Sequence, residues 1–306
     1  MQDKENKCIV ALDVGGTSLK WTLIDLANLN SSISKKFFHK IPVNPEDSAR
    51  IIIKTFIQAI KKAFEEASFL KFEVNGIGIS MPGPFNYEEG ISLMKHKFKA
   101  IYGVNLKKEL IKHLKLKDNF PIKFIGDPLA FLIGEAYFGA ARGCTRVIGI
   151  TLGAGIGAAF MINGQIVLRG EGIPANGEIW CLPYNGGTVE DKLSRHGIIK
   201  RYKQLGGRSY RDLDVDKLYF LASKGDKISL RVFEELGYTL GEILRPIALE
   251  FRADCIIFGG GISKSFSLFV RTLKEKLKFI PGLRKIVPAS LGDLSTLYGV
   301  AKEFTI

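Results

Sequence analysis

The sequence predicts an α/β protein of two lobes with related topology. The chain has 306 residues, 46% of them hydrophobic, which is enough for two cores rather than one. Short apolar runs of strand length alternate with longer stretches whose apolar residues recur at helical spacing. One pattern occurs twice, near 9–25 and 147–168: an apolar strand, a glycine turn and a second strand. With no low-complexity linker between them, the boundary near residue 125 reads as a hinge.

Taken in order, strands are expected near 8–13, 20–25 and 35–41. A helix over about 47–68 follows from Ile52, Ile53, Phe56 and Ile60 at helical spacing. The strand 74–80 ends in Met81-Pro82-Gly83-Pro84, which breaks any regular element. Loop and helix fill 85–116, then a short strand 122–125. Residues 127–140 read as a helix with Pro128 in its first turn, where its missing N–H costs nothing. Strands 147–151 and 158–162 flank Gly153-Ala154-Gly155-Ile156-Gly157, and Asn163-Gly164 turns the chain into 166–168. The span 188–252 is mostly helical, 255–258 is a buried strand, and helices over 263–278 and 291–303 finish the chain.

Composition excludes several classes. Lys+Arg 44 against Asp+Glu 31 gives +13, a balance that favours anionic partners such as nucleotide, phosphosugar or polyphosphate. The basic residues are scattered. Clusters at 35–36, 95–99 and 107–108 read as solvated surface, and no arginine-rich arm points to nucleic acid. The four cysteines are far apart and form no CxxC pair, so a disulfide framework and a zinc site are disfavoured and reduced, cytoplasmic thiols are expected. The polar segment 1–7 does not read as a signal peptide. The uncharged stretch 147–165 is broken by glycines, so no membrane span is expected.

The stretch Asp13-Val14-Gly15-Gly16-Thr17-Ser18-Leu19-Lys20 carries the strongest chemical signal. Glycine lets the backbone turn tightly and bring N–H groups to a ligand. Thr17 adds a hydroxyl donor, Lys20 a positive charge, and Asp13 a carboxylate able to hold a hydrated cation. The pattern suits phosphate; an ordinary glycine hairpin is the alternative. Asp127 follows a buried strand and opens a helix. There a carboxylate serves either as a base projecting from the strand's C-terminal end or as a helix N-cap. Glu178 and Glu190 are of the type that accepts sugar hydroxyls, although Glu190 equally complements a helix dipole. Gly259-Gly260-Gly261 lets a flat ring approach the backbone or simply turns strand into helix.

Order and spacing join these signals. Asp-x-Gly-Gly-Thr-x-x-Lys (13–20), Gly-Ile-x-x-Pro-Gly-Pro (78–84), Asp127 with its helix, Leu-Gly-Ala-Gly-Ile-Gly (152–157), Gly-Glu (177–178), Glu-x-x-x-Ser (190–194), Phe-Gly-Gly-Gly-Ile-Ser (258–263) and Leu-Gly-Asp-Leu-Ser-Thr-Leu-Tyr-Gly-Val-Ala (291–301) appear in sequence. Over essentially its whole length the chain resembles the ROK family of sugar kinases, in the actin/hexokinase superfamily. The resemblance implies two ribonuclease-H-like lobes around a central cleft, residues 1–125 plus 291–306 forming one and 126–290 the other. It implies an ATP- and Mg²⁺-dependent kinase for a glucose-like or N-acetylated hexose. Asp127 would be the general base. Asp13, Gly15, Gly16, Thr17 and Lys20, with Thr151, Gly153 and Gly155, would cradle phosphates, Asp13 holding Mg²⁺ through water. Gly259, Gly260 and Gly261 would sit beside adenosine. Ser80, Pro84, Gly126, Glu178, Cys181 and Glu190 would face the sugar. Family members are commonly homo-oligomers, and a dimer is expected here. The chain starts straight at the phosphate strand, without the helix-turn-helix of family repressors, which favours enzyme over transcription factor.

The departures are specific. The family's Asn before the catalytic Asp is Gly126. Its Gly-Glu-x-Gly-His becomes Gly177-Glu178-Ile179-Trp180-Cys181, and its zinc cysteines have no counterpart in 182–188, so no zinc site is expected. Its Asn-Leu pair after the Pro-Gly-Pro loop has no match near 95–102, and Ala154 replaces a common threonine. A non-catalytic sugar sensor and a polyphosphate-dependent glucokinase are the other readings of the same fold.

Overall fold

The structure is a computed structural model that describes residues 6–28 and 33–305; most of the polar segment 1–7 lies outside the described residues. The chain divides into two compact units, Met1–Gly134 with Asp293–Ile306, and Glu135–Gly292. Asp127 and the first two turns of its helix belong to the first unit.

The first unit contains, in chain order, β1 (Lys7–Val14), β2 (Ser18–Asp25), α1 (Ile33–Lys36), β3 (His39–Pro42), α2 (Ala49–Phe69), β4 (Glu73–Met81), the small hairpin β5 (Phe85–Asn86) and β6 (Ile91–Ser92), α3 (Leu106–Leu114), β7 (Ile122–Gly126) and α4 (Asp127–Phe138). Its sheet has the order β3-β2-β1-β4-β7. β1 is buried along nearly its whole length, as a central strand flanked on both faces must be. Helix α2 covers one face through Ile52, Phe56, Ala59, Ile60, Ala63 and Ala67, a stripe at helical spacing.

The second unit continues with β8 (Arg146–Leu152), β9 (Ile156–Ile162), β10 (Gln165–Ile166), the two-stranded β11 (Pro183–Tyr184) and β12 (Gly187–Thr188), α5 (Val189–Leu193), α6 (Arg195–Gln204), α7 (Val215–Ser223), α8 (Lys227–Glu250), β13 (Cys255–Gly259), α9 (Phe266–Leu277) and β14 (Lys285–Pro288). Helix α10 (Ser295–Lys302) returns to the first unit. The second sheet has the order β10-β9-β8-β13-β14. In both sheets a central strand pairs antiparallel with the next strand in sequence and parallel with a later one, which pairs parallel with an edge strand. The repeat seen in sequence is therefore a repeat of topology.

Two local expectations are corrected. The strand expected over 35–41 is a helical turn, α1, followed by a strand that starts only at His39. The sequence reading places no strand after 258, yet β14 completes the second sheet. Among the described residues no helix is long and apolar enough to cross a membrane. All four cysteines are free thiols.

One buried carboxylate anchors the start of the second unit. Glu135 is fully buried. Its Oε2 accepts from the Ala140 N–H at 2.8 Å, the Ser290 N–H at 3.1 Å and the Ser290 hydroxyl at 3.2 Å, and its Oε1 from the Leu291 N–H at 2.9 Å. Gln in its place keeps the shape but turns one acceptor into a donor facing an N–H. Glu135→Gln is expected to cost about 1–3 kcal/mol, read as a lower urea midpoint at unchanged m-value.

Candidate active site

Sheet register builds the first cluster. Asp13 lies opposite Lys20 across the β1–β2 hairpin, and opposite Ser80 of β4 on its other side. Ser80 in turn pairs with Ile125 of β7, two residues before Asp127. Three parallel strands thus end side by side, where α/β sheets present ligand-binding groups. Lys20, Asp13 and Ser80 lie across β2, β1 and β4, and Asp127 continues the line just past the end of β7.

Polar contacts follow that line. The Lys20 ammonium lies 3.1 Å from Asp13 Oδ2 and 3.1 Å from Asp293 Oδ1. The fully buried Ser80 hydroxyl donates to Asp127 Oδ1 at 2.7 Å. This is the carboxylate's only hydrogen bond among the described residues, so it does not cap its own helix. Burial, then the neighbouring Asp13 charge, push the Asp127 carboxyl up to about 7, against opposing effects of Ser80, Lys97 and Lys20. Burial pulls the Lys20 ammonium down, but the flanking Asp13 and Asp293 carboxylates outweigh it and hold it above its ordinary value.

The turn between β1 and β2 is closed by the Gly15 N–H donating to the Ser18 carbonyl at 2.9 Å. Open space surrounds Gly16, where an added Cβ meets nothing within 4 Å. Gly126 is not an empty place. A Cβ there would lie 3.2 Å from the Tyr87 hydroxyl, which also lies over Gly83, beside Pro84. Tyr87 thus fills the space that a side chain at 126 would take. Sequence reasoning singled out neither Tyr87 nor Lys97 nor Asp293.

The second unit repeats the plan. Thr151 of β8 pairs with Gly157 of β9 and with Gly259 of β13. In the turn, the Gly153 N–H donates to the Gly155 carbonyl at 2.9 Å. Glu190, in the first turn of α5, accepts the Ile156 N–H at 3.1 Å, and its carboxylate fills the space where a Gly155 side chain would stand. The helix start itself is held by Thr188 and Asp191, which cap it reciprocally. Glu190 therefore braces the second glycine turn as well as complementing a helix. Gly260 has φ +83°, and a Cβ there would strike the Leu152 backbone. Glu178 and Cys181 are exposed, with Trp180 exposed between them. Among the described residues no group of three or more His, Cys, Asp and Glu side chains is gathered as a metal site.

A model of the ROK family matches residues 9–303. The glucokinase of Thermotoga maritima is 27% identical over 290 residues, covering 88% of this chain and 86% of its own. The N-acetyl-D-glucosamine kinase of Haemophilus influenzae is 22% identical, covering 96% of this chain and 98% of its own. Among solved structures, a ROK family glucokinase from Streptomyces griseus, in complex with glucose and AMPPNP, superposes with TM-score 0.77 at 22% identity, covering 97% of this chain and 98% of its own. The ribonuclease-H-like pair of sheets, the motif order and the family match agree: the chain belongs to the ROK family.

Proposed function

We propose that the chain is an ATP-dependent sugar kinase that transfers the γ-phosphoryl group to a hydroxyl of a hexose, with Asp127 as general base. One observation carries this reading: a carboxylate at the end of β7, held by Ser80 and pushed up to about 7, poised to take a proton near neutral pH. Asp127 accepts the proton of the acceptor hydroxyl as its oxygen bonds to the γ-phosphorus and the bond to the β-phosphate bridging oxygen breaks. A sugar phosphate and ADP result. The Gly15-Gly16 turn, with the Gly16 N–H, the Thr17 hydroxyl and Lys20, neutralises charge on the phosphates, as preorganised donors do most effectively. In the second unit, Thr151, Gly153 and Gly155 take phosphate oxygens, Gly259 to Gly261 lie beside adenosine, and Glu178 and Glu190 accept sugar hydroxyls. Ser80, Pro84, Gly126 and Cys181 complete the sugar contacts.

Asp13 offers a carboxylate, and among the described residues no group of three or more His, Cys, Asp and Glu side chains is gathered as a metal site. That suits Mg²⁺, which keeps most of its waters and is held by one or two carboxylates plus substrate phosphates. Bound there through water, Mg²⁺ would supply charge neutralisation on the donor phosphates.

A coupled ADP-release assay with ATP and Mg²⁺ tests the reading across glucose, mannose, fructose, allose, N-acetylglucosamine and N-acetylmannosamine. Sugar-dependent release is expected; silence with every sugar from folded protein would move the reading to a sugar sensor. The kcat/KM should climb with unit slope as pH rises to about 7 and level off above it, because Asp127 must lose its proton to act. A rate independent of pH from about 5.5 to about 8 would exclude Asp127 as the titrating base.

A further inference from the structure

Lys97 is a cation that the fold has placed without an ion-pair partner among the described residues. It stands in the loop after β6, between Met94 and Phe98, both fully buried. Phe98 adopts a left-handed φ of 49° as it plugs into the core. The Leu93 N–H donates to the Pro84 carbonyl at 3.1 Å, tying this loop to the Pro82–Pro84 turn. Two buried anchors and a tether fix what lies between them. The exposed Lys95 turns away, its ammonium over the Tyr102 ring. Lys97 is half-buried and close enough to Asp127 to act on its charge.

Charge balance makes this cation unusual. Lys20 is bracketed by two carboxylates at 3.1 Å each. Lys97 makes no ion pair or hydrogen bond among the described residues. When Asp127 carries its proton, the cluster's remaining carboxylates, Asp13 and Asp293, are both engaged by Lys20. A half-buried ammonium loses hydration, and an anion from solution restores what it loses. The phosphate turn already has its own cation in Lys20. Lys97 enters instead on the loop tethered to the Pro-Gly-Pro turn.

We propose that Lys97 makes this an acceptor site for an anionic sugar, one bearing a carboxylate or a phosphate in addition to the hydroxyl that is phosphorylated. The inference rests on the kinase reading in taking the Asp127 end of the first sheet as the acceptor site. It changes the substrate class from neutral hexose to sugar acid or sugar phosphate. Tyr87 supports the assignment, since its ring occupies the place at Gly126 where a neutral amide would otherwise reach a hydroxyl. An ammonium paired with an anion supplies a stronger contact than that amide.

The test uses the full chain and four acceptors: D-glucose, D-gluconate, D-glucuronate and D-glucose 6-phosphate. Binding is followed by calorimetry at low and high salt, and turnover by ADP release. Wild type should bind at least one anionic sugar about tenfold or more tighter than glucose, with the margin shrinking as salt rises. The two carboxylates against the phosphate decide which anion is meant. Lys97→Gln should cut the ratio of anionic to neutral kcat/KM about tenfold, mainly through KM, and Lys97→Arg should restore most of it. Glucose bound as tightly as every anionic sugar, with a ratio that Lys97→Gln leaves alone, overturns the inference while the kinase reading stands. Equal loss of kcat on all acceptors also overturns it and moves Lys97 to the transferring phosphoryl group. Lys97-dependent anion binding with no turnover of any sugar keeps the inference and sinks the kinase reading.

Discussion

Asp127→Asn is expected to lower kcat by about a hundred- to ten-thousandfold while leaving sugar binding within a few-fold of wild type. Asparagine keeps the shape and still accepts the Ser80 hydroxyl bond, so the loss isolates proton acceptance from positioning. The same change should stabilise the fold. In the folded chain Asp127 holds its proton up to about 7, against an ordinary 3.8, so the native state binds the extra proton between those values. Stability from this group is therefore full at low pH, falls as pH rises from about 4 to 7, and stays low above that. The variant never pays to ionise a buried group beside Asp13. Its Tm should exceed wild type by several degrees at pH 8, and the gap should close near pH 4.5, in differential scanning fluorimetry. A kcat within about threefold of wild type would strip Asp127 of its assigned role.

Much of this arrangement is legible in sequence, for identifiable reasons. The two hairpins are written as apolar runs around glycine turns, a local signal, and both sheets start from them. Asp127 is legible as a carboxylate at a strand end because the strand and helix beside it are strongly patterned. The line from Lys20 to Asp127 is not legible, since it depends on strand order: β1, β4 and β7 are neighbours although some sixty residues separate the end of β1 from the start of β4 and some forty the end of β4 from the start of β7. Lys97 is hidden for another reason. Its loop has no period, and the residues that fix it, Met94 and Phe98, read as stray apolar positions in a basic cluster. Only their burial separates an anchored lysine from a solvated one. β14 is a four-residue edge strand with a lysine at one end and a proline at the other, features that suit an edge and give no strand signal.

Gly134→Ala and Gly299→Ala are each expected to destabilise the chain by about 2–4 kcal/mol, the reverse of what alanine does in an unconstrained helix. Helices α4 and α10 cross where both lack side chains. A Cβ on Gly134 would enter the Ser295 carbonyl, and one on Gly299 would enter the Ala130 carbonyl. Backbone cannot swing aside as a side chain does, so the helices must separate. Separation is costly because α10 is also keyed into the sheet, with Val300 and Phe304 occupying the spaces left by Gly78 and Gly76 of β4. Once one alanine has forced the helices apart, the second meets less resistance. The double variant should therefore lose less than the sum of the singles, measured by urea denaturation. The crossing also reaches the site. Asp293, which pairs with Lys20, lies two residues before α10 begins, so moving that helix moves one of the two carboxylates that hold Lys20. Activity should fall further than the small folded-state loss predicts, through a raised KM for ATP. If both alanine variants instead gain stability, the close crossing drawn here is wrong, and with it the reason for glycine at these two positions.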